Sequence, residues 1–281
     1  MKNFTLTPLQ LLLAMLTLII VPQKSFATHA QGGDITYTCL GNNQYQVRVA
    51  FYRDCSGAAA PQTITVNANS QSCNQNFNIT LNRIQGTGID VTPVCPNTLT
   101  TCNGGNYPGV QQWIFQANVT MPMQCVDWKF SFSLCCRNNA ITTINNPGGQ
   151  NIYIEALLNN LDAPCNNSPQ FTNLPVPYIC VGQQYCFNHG AVEPDGDILT
   201  YQLITPLHNA NTPVTYLNPY SSTQPLNSNP AATFNPNTGD ICMTPQQLQV
   251  TVMAVRVNEY RNGILVGSVI RDIQIRVIYL I

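Results

Sequence analysis

Residues 188–203 read NHGAVEPDGDILTYQL, which sets Glu193, Asp195 and Asp197 around a tight Pro-Gly turn. Carboxylates at this spacing suit three kinds of chemistry. They could ligate calcium, which takes about six to eight oxygens from carboxylates, carbonyls and water on flexible loops. They could act as an acid–base pair on a glycoside, which requires a fixed separation across a substrate cleft. They could also form a polar turn, because Asp and Gly are ordinary turn formers whose side chains bond local backbone N–H groups. In that last case Arg256, Arg261 or Arg271 would neutralise the acids. The turn is short, with only Tyr201 and Tyr260 nearby as sugar platforms, which disfavours catalysis. Between calcium and the polar turn, the choice depends on what else the fold brings to the same place.

The elements that must position these acids are strands. QYQVRVAFY puts Tyr45, Val47, Val49 and Phe51 on one face, and FNITL does the same with Phe77, Ile79 and Leu81. WIFQANV aligns Trp113, Phe115, Ala117 and Val119, and WKFSFSLCC aligns Trp128, Phe130, Phe132, Leu134 and Cys136. Period-two alternation marks half-buried antiparallel strands. EALLNNL (155–161) is the one helix-like stretch and reads equally as a strand end. The expected fold is all-β: two consecutive antiparallel β-sandwich, immunoglobulin-like domains held by disulfides. An Asn- and Pro-rich break at 159–177 divides the chain into residues 28–162 and 163–281.

The second half threads as an immunoglobulin-like sandwich, with 178–180 as strand A, 184–192 as B and 198–204 as C. Strand E lies within 232–245, F spans 249–260 and G spans 269–280. In that topology the B–C and F–G loops share a pole. Glu193, Asp195 and Asp197 then meet Glu259, which ends strand F, at the pole facing the break, where Asp162 also lies. Glu193, Asp195, Asp197 and Glu259 are the ligands a calcium ion would take there, and the polar turn with Arg partners stays open as the alternative.

Residues 1–27 read as a secretory signal peptide. Lys2 is followed by a short apolar run, LLLAMLTLIIV (11–21), and by SFA (25–27), which predicts cleavage between Ala27 and Thr28. All twelve cysteines follow that segment, and an even set in an exported chain reads as disulfides. No C-x-x-C pair occurs and the three histidines show no ligand spacing, which argues against zinc. Strands B and E are neighbours in this topology, which brings Cys186 and Cys242 within bonding reach and favours that pair; the alternative pairs Cys180 with Cys186 across a short loop. Cys95 and Cys102 bracket a loop that a disulfide could close. Cys135 and Cys136 are expected to find separate partners, since neighbours in a strand face opposite ways. Only 8% of residues are charged and the net charge is −1, so the basic footprint of a nucleic-acid binder is missing.

EPDGDILTYQL, FNPNTGDICMTP and VTVMAVRVNEYRNG together resemble the cadherin-like, immunoglobulin-fold modules of bacterial surface proteins. More narrowly, HAQGGDITYTCLGNNQYQVRVAFYRDCSG (29–57) and EYRNG with RD (259–263 and 271–272) resemble the N-terminal part of large secreted Bacteroidota proteins described as gliding-motility-associated or adhesin-like. The resemblance implies adhesion or a structural surface role rather than catalysis. It also implies further repeats and a C-terminal sorting domain for type IX export. The chain ends at Ile281, just after the last expected strand, so it is expected to be a short member or an incomplete product. Related modules often carry Asp where Glu193 stands here.

The expected function is a non-enzymatic extracellular or cell-surface module for adhesion or surface assembly. Its partners would be cell-surface glycans or surface proteins, with no membrane insertion after signal removal. The alternative is a secreted carbohydrate-binding protein or a glycoside hydrolase accessory domain, for which Trp113 and Trp128 would supply the platform. Both lie on alternating faces that look inward, where large rings dominate burial. No G-x-S-x-G stretch occurs, and His189 reads as a turn residue rather than a base.

Overall fold

The computed structural model describes residues 30–95, 97–175 and 178–279. The signal segment and its Ala27–Thr28 junction lie outside the described residues. Nineteen strands are present, with two short 3-10 turns and no α-helix among the described residues. The first half holds β1 (Ala30–Gly41), β2 (Gln44–Asp54), β3 (Thr63–Ser70), β4 (Gln75–Arg83), β5 (Ile89–Asp90), β6 (Val110–Thr120), β7 (Trp128–Leu134) and β8 (Ile152–Leu158). Within the break lies β9 (Gln170–Phe171), and after it come β10 (Tyr178–Cys180), β11 (Tyr185–Phe187), β12 (Ala191–Val192), β13 (Ile198–Ile204), β14 (Leu207–Asn209) and β15 (Thr212–Pro213). The chain closes with β16 (Thr233–Phe234), β17 (Ile241–Met243), β18 (Val250–Arg261) and β19 (Ile264–Ile278).

Alternation converts directly into burial. Along β7, Trp128, Phe130 and Phe132 are buried while Lys129, Ser131 and Ser133 face outward. The EALL stretch is strand, in β8, where Ala156 and Leu158 pack beside Phe130 and Trp128 in the main core. Trp113 departs from expectation: it is only partly buried, and the Arg83 guanidinium lies over its ring at 4.5 Å.

The halves share one hydrogen-bonded path. β1 pairs with β2, β2 with β6, β6 with β4, β4 with β3, β3 with β7 and β7 with β8. β18 occupies one edge of β19 along nearly its whole length. The other edge therefore takes β8 at Gly267–Val269, β1 at Arg271–Ile273, and β10, parallel, at Arg276–Ile278. Because both β1 and β8 end on β19, the path closes on itself, and the main core draws side chains from before and after the break. A reading of two consecutive sandwiches treats each half as self-contained. The fifteen-residue β19 is long enough to give one edge to its own hairpin and the other to the first half.

Within the second half the pairings follow the threading. β11 pairs with β17, β13 with β18, and β18 with β19 across an Asn262–Gly263 turn, both residues at positive φ. Cys186 and Cys242 face each other directly in the β11–β17 pair and are bonded.

Two cysteine expectations are corrected. Cys102 is bonded to Cys55, not to Cys95. The Thr101–Asn103 turn, capped by the Thr100 hydroxyl, aims Cys102 at the end of β2, where the Cys55 N–H donates to the Gly109 carbonyl (3.0 Å). Cys135 and Cys136 are bonded to each other across a cis peptide. Both lie beyond the end of β7 at Leu134, so the rule that strand neighbours face apart does not apply to them. Cys39–Cys165 and Cys73–Cys125 complete five disulfides among the described residues.

Candidate metal centre

The acidic turn depends on backbone geometry that its sequence supplies. Gly196 has φ +86°, a region that side chains rarely adopt, and this lets the chain reverse between β12 and β13. Glu193 closes the turn locally: one oxygen accepts from the Asp195 N–H (3.0 Å) and the other from the Asp197 N–H (2.6 Å).

Glu259 reaches the same place from β18. Val255, Val257 and Glu259 alternate on the inward face of the strand, so period two carries a carboxylate into the core-facing row. A bulge between Glu259 and Tyr260 interrupts the pairing with β19 at this point. One oxygen from each of Glu193, Asp195, Asp197 and Glu259 lies within 4.8 Å of the others, an arrangement that could hold a metal ion. The four expected ligands therefore do converge. Asp162 is engaged elsewhere, accepting from the Asn159 side chain (2.9 Å).

Arg261 is the cation of the cluster. Its Nε donates to Asp197 (2.9 Å), and its Nη2 donates to Asp197 (2.6 Å), to Asp195 (3.3 Å) and to the Asn166 side-chain oxygen (2.8 Å). This contact holds the Asp197 carboxyl below the usual carboxylate range. Of the other arginines considered, Arg256 pairs with Glu155 and Arg271 with Asp34. One guanidinium thus faces four carboxyl groups.

Glu259 is the exception among them. It is 0% exposed, and neither of its oxygens makes a hydrogen bond of standard geometry, with the Asn166 and Asp197 side chains close by. Burial is the main cause that pushes its pKa up to about 9; the nearby Asn166 amide opposes the shift, while the Asp197 carboxyl, near enough to accept the Glu259 proton's hydrogen bond, and the charges of Glu193 and Asp197 add to it. A buried, unpartnered carboxyl must either keep its proton or meet a cation. The room it occupies exists because residue 267, opposite it on β19, is glycine: a Cβ there would collide with Glu259 Oε2 and crowd the Tyr37 hydroxyl. Gly267→Ala is expected to destabilise the protein by about 1–3 kcal/mol through this overpacking, measured as a shift in the urea midpoint.

Sequence reasoning missed the contribution of the break. Asn167 donates to Asp195 from both its backbone N–H (2.8 Å) and its side-chain amide (2.6 Å), while Asn166 contacts Arg261. The adjacent Cys165 is bonded to Cys39 of β1, which fixes this segment against the pole. Asn and Pro marked the segment as a boundary, and only the Cys165 tether hinted that it is anchored. The inward position of Glu259 was legible in the Val255–Val257–Glu259 alternation.

His189 takes no part in the cluster. It is buried between Phe171 and Phe187, and burial, with the Arg271 charge, pushes its pKa down to about 3, so it packs as a neutral ring. Comparison with protein-family models, with curated proteins and with solved structures gives no match for this chain.

Proposed function

We propose that the protein is a non-enzymatic extracellular or cell-surface module for adhesion or surface assembly, and that its acidic cluster binds calcium. The observation that carries this reading is Glu259, a buried carboxyl with no hydrogen bond of standard geometry, aimed among three further acidic side chains. A hard divalent ion with a preference for oxygen would satisfy it and offset the mutual repulsion of the acids. Bound there, the ion would join the turn before β13, the end of β18 and, through Asp195, the Asn166–Asn167 segment. Calcium would thus stiffen the junction between the halves and hold their outer faces in one geometry for a partner.

The disulfides fit an oxidising compartment and hence export. The β11–β17 and β13–β18–β19 pairings support an immunoglobulin-like reading of the second half. Among the described residues Tyr279 is the one aromatic ring standing mostly in solvent, so they offer no aromatic strip for stacking sugars. Partners would be cell-surface glycans or surface proteins recognised through amide- and hydroxyl-rich faces. The test is binding of the purified protein to glycan arrays and to whole cells, in millimolar calcium and in chelator. Retention in calcium with loss in chelator is expected. Binding that is equal in both conditions would remove calcium from the account, and release of sugar fragments would overturn the non-enzymatic reading.

A further inference from the structure

We propose that Cys95 and Cys180 form a sixth disulfide, one that ties the loop before β6 to strand β10 and closes a cavity between them. The two are the unpaired cysteines among the described residues, and both line one cavity of about 420 Å³. Thr98, Tyr107, Ile278 and Tyr279 share its walls.

The placement of each thiol follows from its element. In β10, Ile179 points into the main core, so Tyr178 and Cys180 share the opposite face. The loop covers that face. The Tyr178 hydroxyl donates to the Pro108 carbonyl (2.7 Å), and its ring meets Tyr107 at 5.6 Å. Cys180 lies two residues further along the same face, in register with Ile278 of β19.

Cys95 belongs to this same loop, on a short stretch pinned at both ends. The Val91 N–H donates to the Val110 carbonyl (2.9 Å), and Cys102 is bonded to Cys55. Between these anchors Cys95 is exposed and local: its carbonyl accepts from the Thr98 N–H (3.1 Å). The loop is therefore held over β10, with Cys95 and Cys180 on the walls of the same cavity. A bond requires the Cα atoms to lie within about 4.4–6.8 Å, and Cys95, on an exposed loop, is the partner that can adjust without disturbing a sheet.

The chemistry is thiol–disulfide exchange. The Cys95 thiolate attacks a donor disulfide, either that of an exported dithiol oxidase or oxidised glutathione, and expels one donor thiol. The Cys180 thiolate then attacks the sulfur of Cys95 in the mixed disulfide, forms the Sγ–Sγ bond and expels the second donor thiol. The two cysteines lose two protons and two electrons, and the donor disulfide is reduced to its dithiol.

The full chain, equilibrated with oxidised glutathione, is to be denatured without reductant, treated with maleimide and digested with pepsin at acid pH, where exchange is suppressed. Mass spectrometry is expected to find a Cys95–Cys180 linked peptide and no maleimide on either residue. Maleimide on both residues would overturn the proposal, as would either residue bonded to a different cysteine. In Cys95→Ser, which has no second thiol to resolve a mixed disulfide, Cys180 is expected to carry maleimide or glutathione; Cys180 bonded to another cysteine of the chain in that variant would mean a different partner and would equally sink the idea. The wild-type peptide decides the matter even where the variant folds poorly.

Discussion

Adding about 10 mM calcium to the folded protein at pH 8 is expected to raise its melting midpoint by about 3–10 °C, and Glu259→Gln is expected to abolish that response. The size follows from mass action. Extracellular calcium modules bind with Kd of about 0.1–1 mM, and Arg261 already neutralises part of this cluster, so affinity above that class is not expected. An ion that binds only the native state at roughly ten to a hundred times its Kd adds about 1.4–2.7 kcal/mol. For a chain of this size each kcal/mol shifts Tm by about 2–4 °C.

The pH dependence is a sharper signature. Glu259 has its pKa raised from 4.5 to about 9 in the folded state. Below the unfolded value both states hold the proton and the group contributes nothing. Between about 4.5 and 9 the unfolded chain is ionised while the folded one keeps its proton, so without calcium stability falls as pH rises through this window. Calcium must displace that proton, so its affinity should grow by roughly tenfold per pH unit toward pH 9, with proton uptake by the buffer. Calorimetry in two buffers of different ionisation enthalpy measures this release directly. Gln at 259 has nothing to ionise, so both the fall of stability with pH and the calcium response should flatten. Identical melting curves with and without calcium from pH 7 to 9 would end the metal reading and leave a protonated Glu259 beside an Arg261-neutralised turn.

Arg137→Met is expected to cost about 3–5 kcal/mol, measured by urea denaturation, because it strands a buried carboxylate. Arg137 is 1% exposed and Asp272 0%. The Arg137 Nη1 donates to Asp272 (2.9 Å), Nε donates to the Asn151 carbonyl (3.0 Å) and Nη2 donates to the Leu207 carbonyl (3.2 Å). Burial pushes the Asp272 carboxyl above its ordinary range, and Arg137 pulls it back. The pair joins the segment after β7 to the middle of β19, where β1 also docks. Replacing both partners with apolar residues, Arg137→Met with Asp272→Leu, is expected to recover much of the loss, since no charge is then left unpaired. A single variant within about 0.5 kcal/mol of wild type would mean that water reaches the site.

Much of this was legible in the residues. Side chains that alternate with period two state which face of a strand is apolar, and that rule located β2, β4, β6 and β7. The expected topology brought Cys186 within reach of Cys242, because strands B and E are neighbours in it, and the structure puts the two in direct register. The Glu-Pro-Asp-Gly-Asp turn announced itself by composition, and its convergence with Glu259 followed from two loops sharing a pole.

Tertiary structure alone decided the rest, because period two names a face but not the neighbour across an edge. Nothing local to β19 says that β1, β8 and β10 will share its free edge, and that sharing joins the two halves in one sheet path. Cys102 met Cys55 and not Cys95 because a capped 3-10 turn set its direction, and loop sequences encode such directions weakly. The state of Glu259 belongs to the same class. Its inward face was written in the strand, but its burial came from Gly267, Tyr37 and the Asn166–Asn167 segment meeting at the pole from distant parts of the chain. Desolvation is a property of the surroundings, so the charge this carboxyl carries was settled only when the chain had folded around it.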